Sequence, residues 1–300
     1  MHPTVDEVIK RIDSWRGKKI RHEPLGGGIT NHNFTAYVDD KPYVIRIPGA
    51  GTEIFIDRDN ELDCSIQAGK TGVSPEVIHH LKPENISVVS FIKGKTLTTR
   101  QIKGDDDLIV RIIKAVKIIH ENAVFKSTFN PFDTIRKYRG FVEKYDAPLP
   151  EDINWMYDLS DEIEKAMNRN KSADVACHND YLSENFIDDG KNIWIIDWEY
   201  GGMGDRYFDL GDFAVEHPFS REQEELIIRE YCGDMRYDRL SRMLLYKIIA
   251  DLWWSIWAMI QSKISKIDFD FLQYGTARFN RLRKNACDSD YRNWIEAVYC

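Results

Sequence analysis

Two short runs place oxygen-bearing side chains at a spacing suited to chemistry: HNDYLSEN, His178 to Asn185, and IIDWEY, Ile195 to Tyr200. Asp180 and Asn185 flank a short loop. Between Asn185 and Asp197 lie NFI, the turn Asp188-Asp189-Gly190 and IWIID, and Asp-Gly between apolar runs is a strong hairpin signal. Asn185 is expected to open the first strand of that hairpin and Asp197 to end the second, which makes them spatial neighbours. An amide oxygen and two carboxylates form the hard-oxygen surroundings that Mg²⁺ takes through few protein ligands, with phosphates and water completing the octahedron. Asp180, beside such a metal, could accept the proton of a substrate hydroxyl. A single Asp or Asn in a loop is ordinarily a turn former or a cap; the combination is much rarer by chance. His178 reads as a structural residue that bonds the loop.

A second set of residues lies near the start of the chain. GGGITNHN, from Gly26, offers backbone N–H groups at Gly27 and Gly28 and the side chains of Thr30 and Asn31, a reasonable cradle for phosphate. It lacks the lysine of GxxxxGK[ST], so a P-loop nucleotidase is unsupported. Arg46 stands in the apolar strand PYVIRIP, where a charge needs a partner. Glu61, on the following helix, is the expected one, and the pair could position a nucleotide phosphate.

The elements that must hold these residues fall into two groups. Up to about residue 92 the chain reads as strands with one inserted helix: a hairpin of NFTAYV and PYVIRIP about Asp39-Asp40, a helix from Asp57 to Gly69, and a hairpin of EVIHH and ISVVSFI. This predicts a small sheet with one helix packed on it. Beyond Lys93 the apolar period is helical over 105–120, 131–145, 151–169, 220–231, 236–264 and 268–284. The expected architecture is α+β and bilobal: a β-rich lobe over 1–92, a larger helical lobe over 93–300, and a cleft between them.

Composition sets the outer bounds. The chain has 300 residues, 43% apolar, 30% charged and 12% aromatic, which is globular and excludes a disordered scaffold or a coiled coil. Its 41 basic and 49 acidic residues leave −8, so tracking of nucleic-acid phosphate across the whole surface is not expected, while a cationic small molecule suits the field. Five scattered cysteines support neither a disulfide framework nor a zinc site. The N-terminal run reads as an amphipathic helix without the apolar core of a signal peptide, which predicts a cytoplasmic protein. Lys247 and Asp251 interrupt the most apolar stretch, Leu244 to Ile260, which therefore reads as a buried helix and not a bilayer span.

Trp253, Trp254 and Trp257 fall within five positions, followed by Phe269, Phe271 and Tyr274. Trp254 and Trp257 share a helix face, which suits core packing and a pocket wall alike.

Taken in order, the glycine loop, strand cation, helix glutamate, HND…N and the final Asp resemble a protein-kinase-like fold. The chain is similar to the choline/ethanolamine kinase family, within the wider group that includes aminoglycoside phosphotransferases. GGGITNHNF resembles that family's nucleotide loop, YVIRIPG its third strand with arginine in place of the usual kinase lysine, and HNDYLSENF and IIDWEY its catalytic and metal-binding segments. The likeness continues through FDLGDFAVEH and LWWSIWAMIQSKISKIDFDFLQYGTARF.

The resemblance implies an ATP- and Mg²⁺-dependent kinase. In it Asp180 is the base, Asn185 and Asp197 the metal ligands, and Glu199 a contributor to the second metal's surroundings. Gly27, Gly28, Thr30, Asn31, Arg46 and Glu61 serve the nucleotide, and the linker around Ser90, Phe91 and Ile92 meets adenine. It further implies that Tyr200, Trp254, Trp257, Phe269 and Tyr274, with Asp180 and Glu216, line a site for a cationic alcohol. Aromatic faces suit a trimethylammonium, which has no N–H to donate, while Glu216 suits a primary ammonium, so choline and ethanolamine both remain open. His217 stands where members of that family commonly carry tryptophan. The alternatives are a kinase for another hydroxylated substrate, such as an aminoglycoside or a methylthioribose-like sugar, and a catalytically dead kinase fold that binds a ligand.

Overall fold

The computed structural model describes residues 3–26, 31–49 and 54–299, and of Asn31 only the backbone. Along the chain run α1 (Val5–Lys10), β1 (Ile20–Leu25), β2 (Asn31–Val38), β3 (Lys41–Pro48), α2 (Arg58–Gly69), β4 (Val77–Leu81) and β5 (Ile86–Ser90). The five strands form one antiparallel sheet in the order β1-β2-β3-β5-β4. Strand β3 alternates as its sequence requires: Ile45 and Ile47 are buried, and Arg46 points to the opposite face. Ile45 and Ile47 pack with Ala36, Val38, Ile86 and Val88 against Val5, Val8, Ile12 and Trp15. The helix that closes this core is therefore α1. Helix α2 meets the sheet too, at β4, as expected, but its buried Cys64 and Ala68 belong to the core of the helical region.

That region begins with β6 (Lys95–Thr96), α3 (Thr99–Lys103), α4 (Asp106–Asn122), α5 (Pro131–Tyr145) and α6 (Ile153–Met167). Then come β7 (Val175–Cys177), β8 (Phe186–Asp188), β9 (Ile193–Ile195), β10 (Gly202–Gly204), α7 (Arg206–Glu216) and α8 (Arg221–Cys232). It ends with α9 (Tyr237–Ile264), α10 (Phe271–Ala286) and α11 (Tyr291–Tyr299). The helices read from periodicity are all present, whereas β1, β6, β7, β10, α3, α7 and α11, most of them short, are not among the elements expected from the sequence. Helix α9 spans about 42 Å at 1.5 Å per residue and packs on α5, α7, α10 and α11. It is long and apolar enough to cross a membrane, but 89% of its apolar window is buried inside the fold.

Two close approaches fix this body. At Gly94, where the chain passes out of the sheet, an added Cβ would lie 2.6 Å from Ile187 Cγ2 and 2.7 Å from the Asp188 carbonyl oxygen, so β6 can pair with β8 only behind a glycine. At Gly211 of α7, a Cβ would lie 2.8 Å from Tyr246 Cβ and 2.9 Å from the Met243 carbonyl oxygen of α9. Gly211→Ala gains about 1 kcal/mol of helix propensity, but the obstruction includes backbone and cannot swing aside. Overpacking of this kind costs about 1–3 kcal/mol, so a net loss of stability is expected by urea denaturation; equal or higher stability would show that α7 and α9 can separate freely.

Candidate active site

The HND loop lies between β7 and a single 3₁₀ turn, Ser183–Asn185, and its conformation is set by helix α7. Asp209 accepts the N–H groups of His178 at 2.8 Å and Asn179 at 2.6 Å. Asp212, one turn further on, accepts the N–H of Tyr181 at 2.6 Å. Residues three apart on a helix share a face, so the pair DxxD aims two carboxylates at one loop. His120 of α4 holds Asp209 from behind through Nε2 at 2.8 Å and meets the Tyr231 hydroxyl through Nδ1 at 2.7 Å. With these bonds in place Asn179 is kept at φ 70°, a left-handed conformation that Asn tolerates better than most residues.

His178 is a holder of the loop, as expected. Its Nδ1 accepts the Asp180 N–H at 3.2 Å and its Nε2 lies 2.8 Å from the Ile196 carbonyl oxygen. A carbonyl accepts only, so Nε2 carries the proton and the ring is neutral; burial also lowers its pKa.

Asn185 and Asp197 are neighbours, though by a different local route from the one expected. Asn185 ends the 3₁₀ turn, just before β8, and the Ile196 N–H donates to its carbonyl at 3.0 Å. Asp197 lies two residues past β9, at φ 72°. A short strand leaves the ladder early there, so Glu199 does not share a face with Asp197 by strand alternation. The Asn185 amide nitrogen donates to the Asp180 carbonyl at 2.8 Å, which leaves its amide oxygen as the atom available to a cation.

Arg46 draws the two regions together. One terminal nitrogen lies 2.6 Å from Asp197 Oδ1, 2.6 Å from Glu199 Oε1 and 3.3 Å from Glu61 Oε1. Burial opposes its charge, but the fields of Asp197, Glu61 and Glu199 outweigh that penalty and raise its pKa above the ordinary value. Arg58 of α2, which the sequence did not single out, adds an ion pair to Glu61 at 2.5 Å and one to Glu199 at 3.2 Å. Candidate ligand oxygens of Glu61, Asp197 and Glu199 lie within 4.8 Å of one another, a hard-oxygen group compatible with a divalent ion. Gly27, Gly28 and Thr30 lie outside the described residues, as does the Asn31 side chain.

Asp180 is half-buried. Burial first, then the fields of Asp212, Asp197, Glu216 and Glu199, raise its carboxyl well above the ordinary range. Near it, the five aromatic residues singled out in the sequence form one chain of ring contacts. Tyr200 meets Trp254 edge-on at 5.1 Å, Trp254 meets Trp257 at 5.5 Å, Trp257 meets Tyr274 at 6.2 Å and Tyr274 meets Phe269 at 5.6 Å. Phe55 and Phe271 extend the wall against Trp257. Trp253 is wholly buried and packs with Phe129 and Phe208, so this tryptophan is core. Both Asp180 and Glu216 act on the Tyr274 hydroxyl, which places Glu216 at the same cavity. Its carboxylate is already engaged, by Arg278 at 2.6 Å and Arg281 at 3.0 Å. His217 is buried, bonded through Nδ1 to the Phe213 carbonyl at 2.9 Å and stacked on Phe219.

A five-stranded sheet over a helical body, with Asp180, Asn185 and Asp197 gathered near the sheet's partly buried Arg46, defines the protein-kinase-like class of phosphotransferase. Within that class the chain belongs to the choline/ethanolamine kinase family, whose model matches residues 22–232. A probable ethanolamine kinase A of Dictyostelium discoideum is 28% identical over 298 residues, covering 86% of this chain and 83% of that protein. The crystal structure of a choline/ethanolamine kinase family protein from Mesorhizobium loti matches with a TM-score of 0.86 and 32% identity, covering 97% of this chain and 96% of that one. Choline kinase LicA from Streptococcus pneumoniae matches with a TM-score of 0.77 and 26% identity over 93% of this chain and 96% of that chain. LicA has also been solved in complex with AMP, at 26% identity and a TM-score of 0.74, over the same shares of the two chains.

The strand after Asn185 is pinned from outside. Arg111 of α4 makes a two-pronged bond to Asp188 of β8, at 2.9 and 2.6 Å, and that bond holds the Asp188 carboxyl below its ordinary value. A depressed carboxylate stabilises the fold above its unfolded pKa, near 4, and loses that contribution as pH falls through the folded value. Both partners are partly exposed, so Arg111→Met is expected to cost about 1 kcal/mol at neutral pH. The gap between the two proteins in urea unfolding should begin to narrow as pH falls toward the ordinary Asp pKa of about 3.9 and close only below the depressed folded value; a gap independent of pH would assign the loss to packing.

Proposed function

We propose that the protein transfers the γ-phosphoryl group of ATP to the hydroxyl of choline or ethanolamine. The observation that carries this reading is that Asp180 feels the fields of Asp197 and Glu199, which hold Arg46, and itself acts on Tyr200 and Tyr274 of the aromatic wall. A hydroxyl delivered by a cation held against the wall would meet Asp180 on the side facing the phosphates. Family membership and the LicA complex with AMP support the nucleotide.

In this reading residues 1–92 form the nucleotide lobe and residues 93–300 carry the catalytic loop and acceptor pocket. Asp180 accepts the acceptor's proton as its oxygen attacks. The raised pKa of the unliganded carboxyl makes it a better proton acceptor once it is ionised. Asn185 through its amide oxygen and Asp197 through its carboxylate hold Mg²⁺, which neutralises phosphate charge when bound. Arg46 contacts phosphate and Glu61 orients it, with Gly27, Gly28, Thr30 and Asn31 over the phosphates. Tyr200, Trp254, Trp257, Phe269 and Tyr274 face the ammonium, each cation–π contact contributing about 0.5–2 kcal/mol, with Glu216 at the rim. Positioning and charge neutralisation supply most of the acceleration, because the transition state is loose. A cytoplasmic location belongs to the same reading; Cys64, Cys177, Cys232 and Cys287 are free thiols.

Purified protein with ATP and Mg²⁺ is expected to release ADP with choline or ethanolamine and not with aminoglycosides or sugars. Asp180→Ala should lower kcat by about 10²- to 10⁴-fold, the usual range for loss of a general base. Unchanged turnover in that variant would remove the base assignment, and ADP release with sugars alone would remove the acceptor.

A further inference from the structure

The acids around the two sides of Asp180 separate by whether a cation already balances them. Glu61, Asp197 and Glu199 share Arg46 and Arg58. Glu216 binds Arg278 and Arg281, and the wholly buried Asp251 binds Arg281 through two of its nitrogens. Asp209 binds His120. Asp212 differs. It is completely buried, its two oxygens accept the Tyr181 N–H at 2.6 Å and the Trp254 indole N–H at 3.0 Å, and among the described residues no Lys, Arg or His forms an ion pair with it.

A buried carboxylate without a cation is costly unless one arrives. Burial, followed by the field of Glu216, raises the Asp212 carboxyl well above its ordinary range, the behaviour of an acid short of positive charge. Its route to the pocket is the Trp254 indole, whose ring meets Tyr200 and Trp257 in the aromatic wall. A negative charge on the N–H edge of an indole makes the ring face more attractive to a cation, since cation–π attraction is electrostatic. The same carboxylate also holds the loop residue next to Asp180, so it sets the spacing between base and wall.

We propose that Asp212, acting through Trp254, is the positioning residue that supplies the counter-charge to the cationic acceptor, and that Glu216, balanced by Arg278 and Arg281, is not. This rests on the amino-alcohol reading above and names which acid gives that pocket its preference for charge. Glu216 is the acid that the family resemblance favours, and its two arginines are what removes it from that role.

The test compares choline with its uncharged isostere, in which carbon replaces the quaternary nitrogen. The wild-type enzyme should favour choline in kcat/KM by at least about tenfold, and Asp212→Asn should reduce that ratio by about tenfold, the effect of about 1.4 kcal/mol. A purely structural role for Asp212 would lower activity on both alcohols equally and leave the ratio unchanged, which would overturn the inference. If Asp212→Asn does not fold, Glu216→Gln decides: an unchanged ratio in that variant supports the proposal, and a roughly tenfold fall in the ratio overturns it by assigning the counter-charge to Glu216. Wild-type enzyme inert toward every amino alcohol would overturn the functional reading and this inference with it, whereas turnover with a ratio unchanged in Asp212→Asn overturns this inference alone.

Discussion

The arrangement depends on one guanidinium. Arg46 projects from the middle of a sheet strand onto Glu61, Asp197 and Glu199, three carboxylates from two other parts of the chain. At such spacings, in a partly desolvated site, like charges repel by several kcal/mol unless a cation stands between them. Arginine suits this position better than lysine would, because its charge is spread over a planar fork and survives burial. Through that contact the Arg46 face of the sheet is set against the loops that carry Asp180 and Asn185.

Beneath it, helix α7 performs the corresponding task for the loop itself. Asp209 and Asp212 take backbone N–H groups of His178, Asn179 and Tyr181, which fixes the loop's backbone to the helix while Tyr181 anchors it in the core. Charge-assisted bonds to backbone amides are the strong class, and α7 is held in turn by its close approach to α9 at Gly211. Trp254 and Trp257 on α9 and the HND loop on α7 are therefore carried by two helices in direct contact.

Much of this was legible in the residues. Helical period located α5 at its observed bounds, Pro131–Tyr145, because an apolar face on a long segment leaves a repeated signal. The Arg46–Glu61 pair followed from a charge placed in an apolar strand. Its links to Asp197 and Glu199 did not, since they span more than 150 residues and depend on where two left-handed residues turn the chain. The arginines on Glu216 were equally hidden: Arg278 and Arg281 look like surface charges of α10 until the helix docks. Asp212 was quoted within FDLGDF, and the DxxD spacing on one helix face was the available clue, but its partners come from a loop and from α9. Patterns local in sequence were read; charge balance, which is a property of the assembled fold, was not.

Helix α2 lies on the sheet's side of the sequence yet shares the core of the helical body through Cys64 and Ala68, while α1 closes the sheet. A hinge placed at Lys93–Gly94 alone would tear α2 from its packing. Helix α2 also lies against β4 and is joined to the end of that strand through Asp59 and Lys82, so it bridges the sheet and the helical body. The two regions are thus tied at three places: through α2, through the carboxylates on Arg46, and at the close approach of Gly94 to β8.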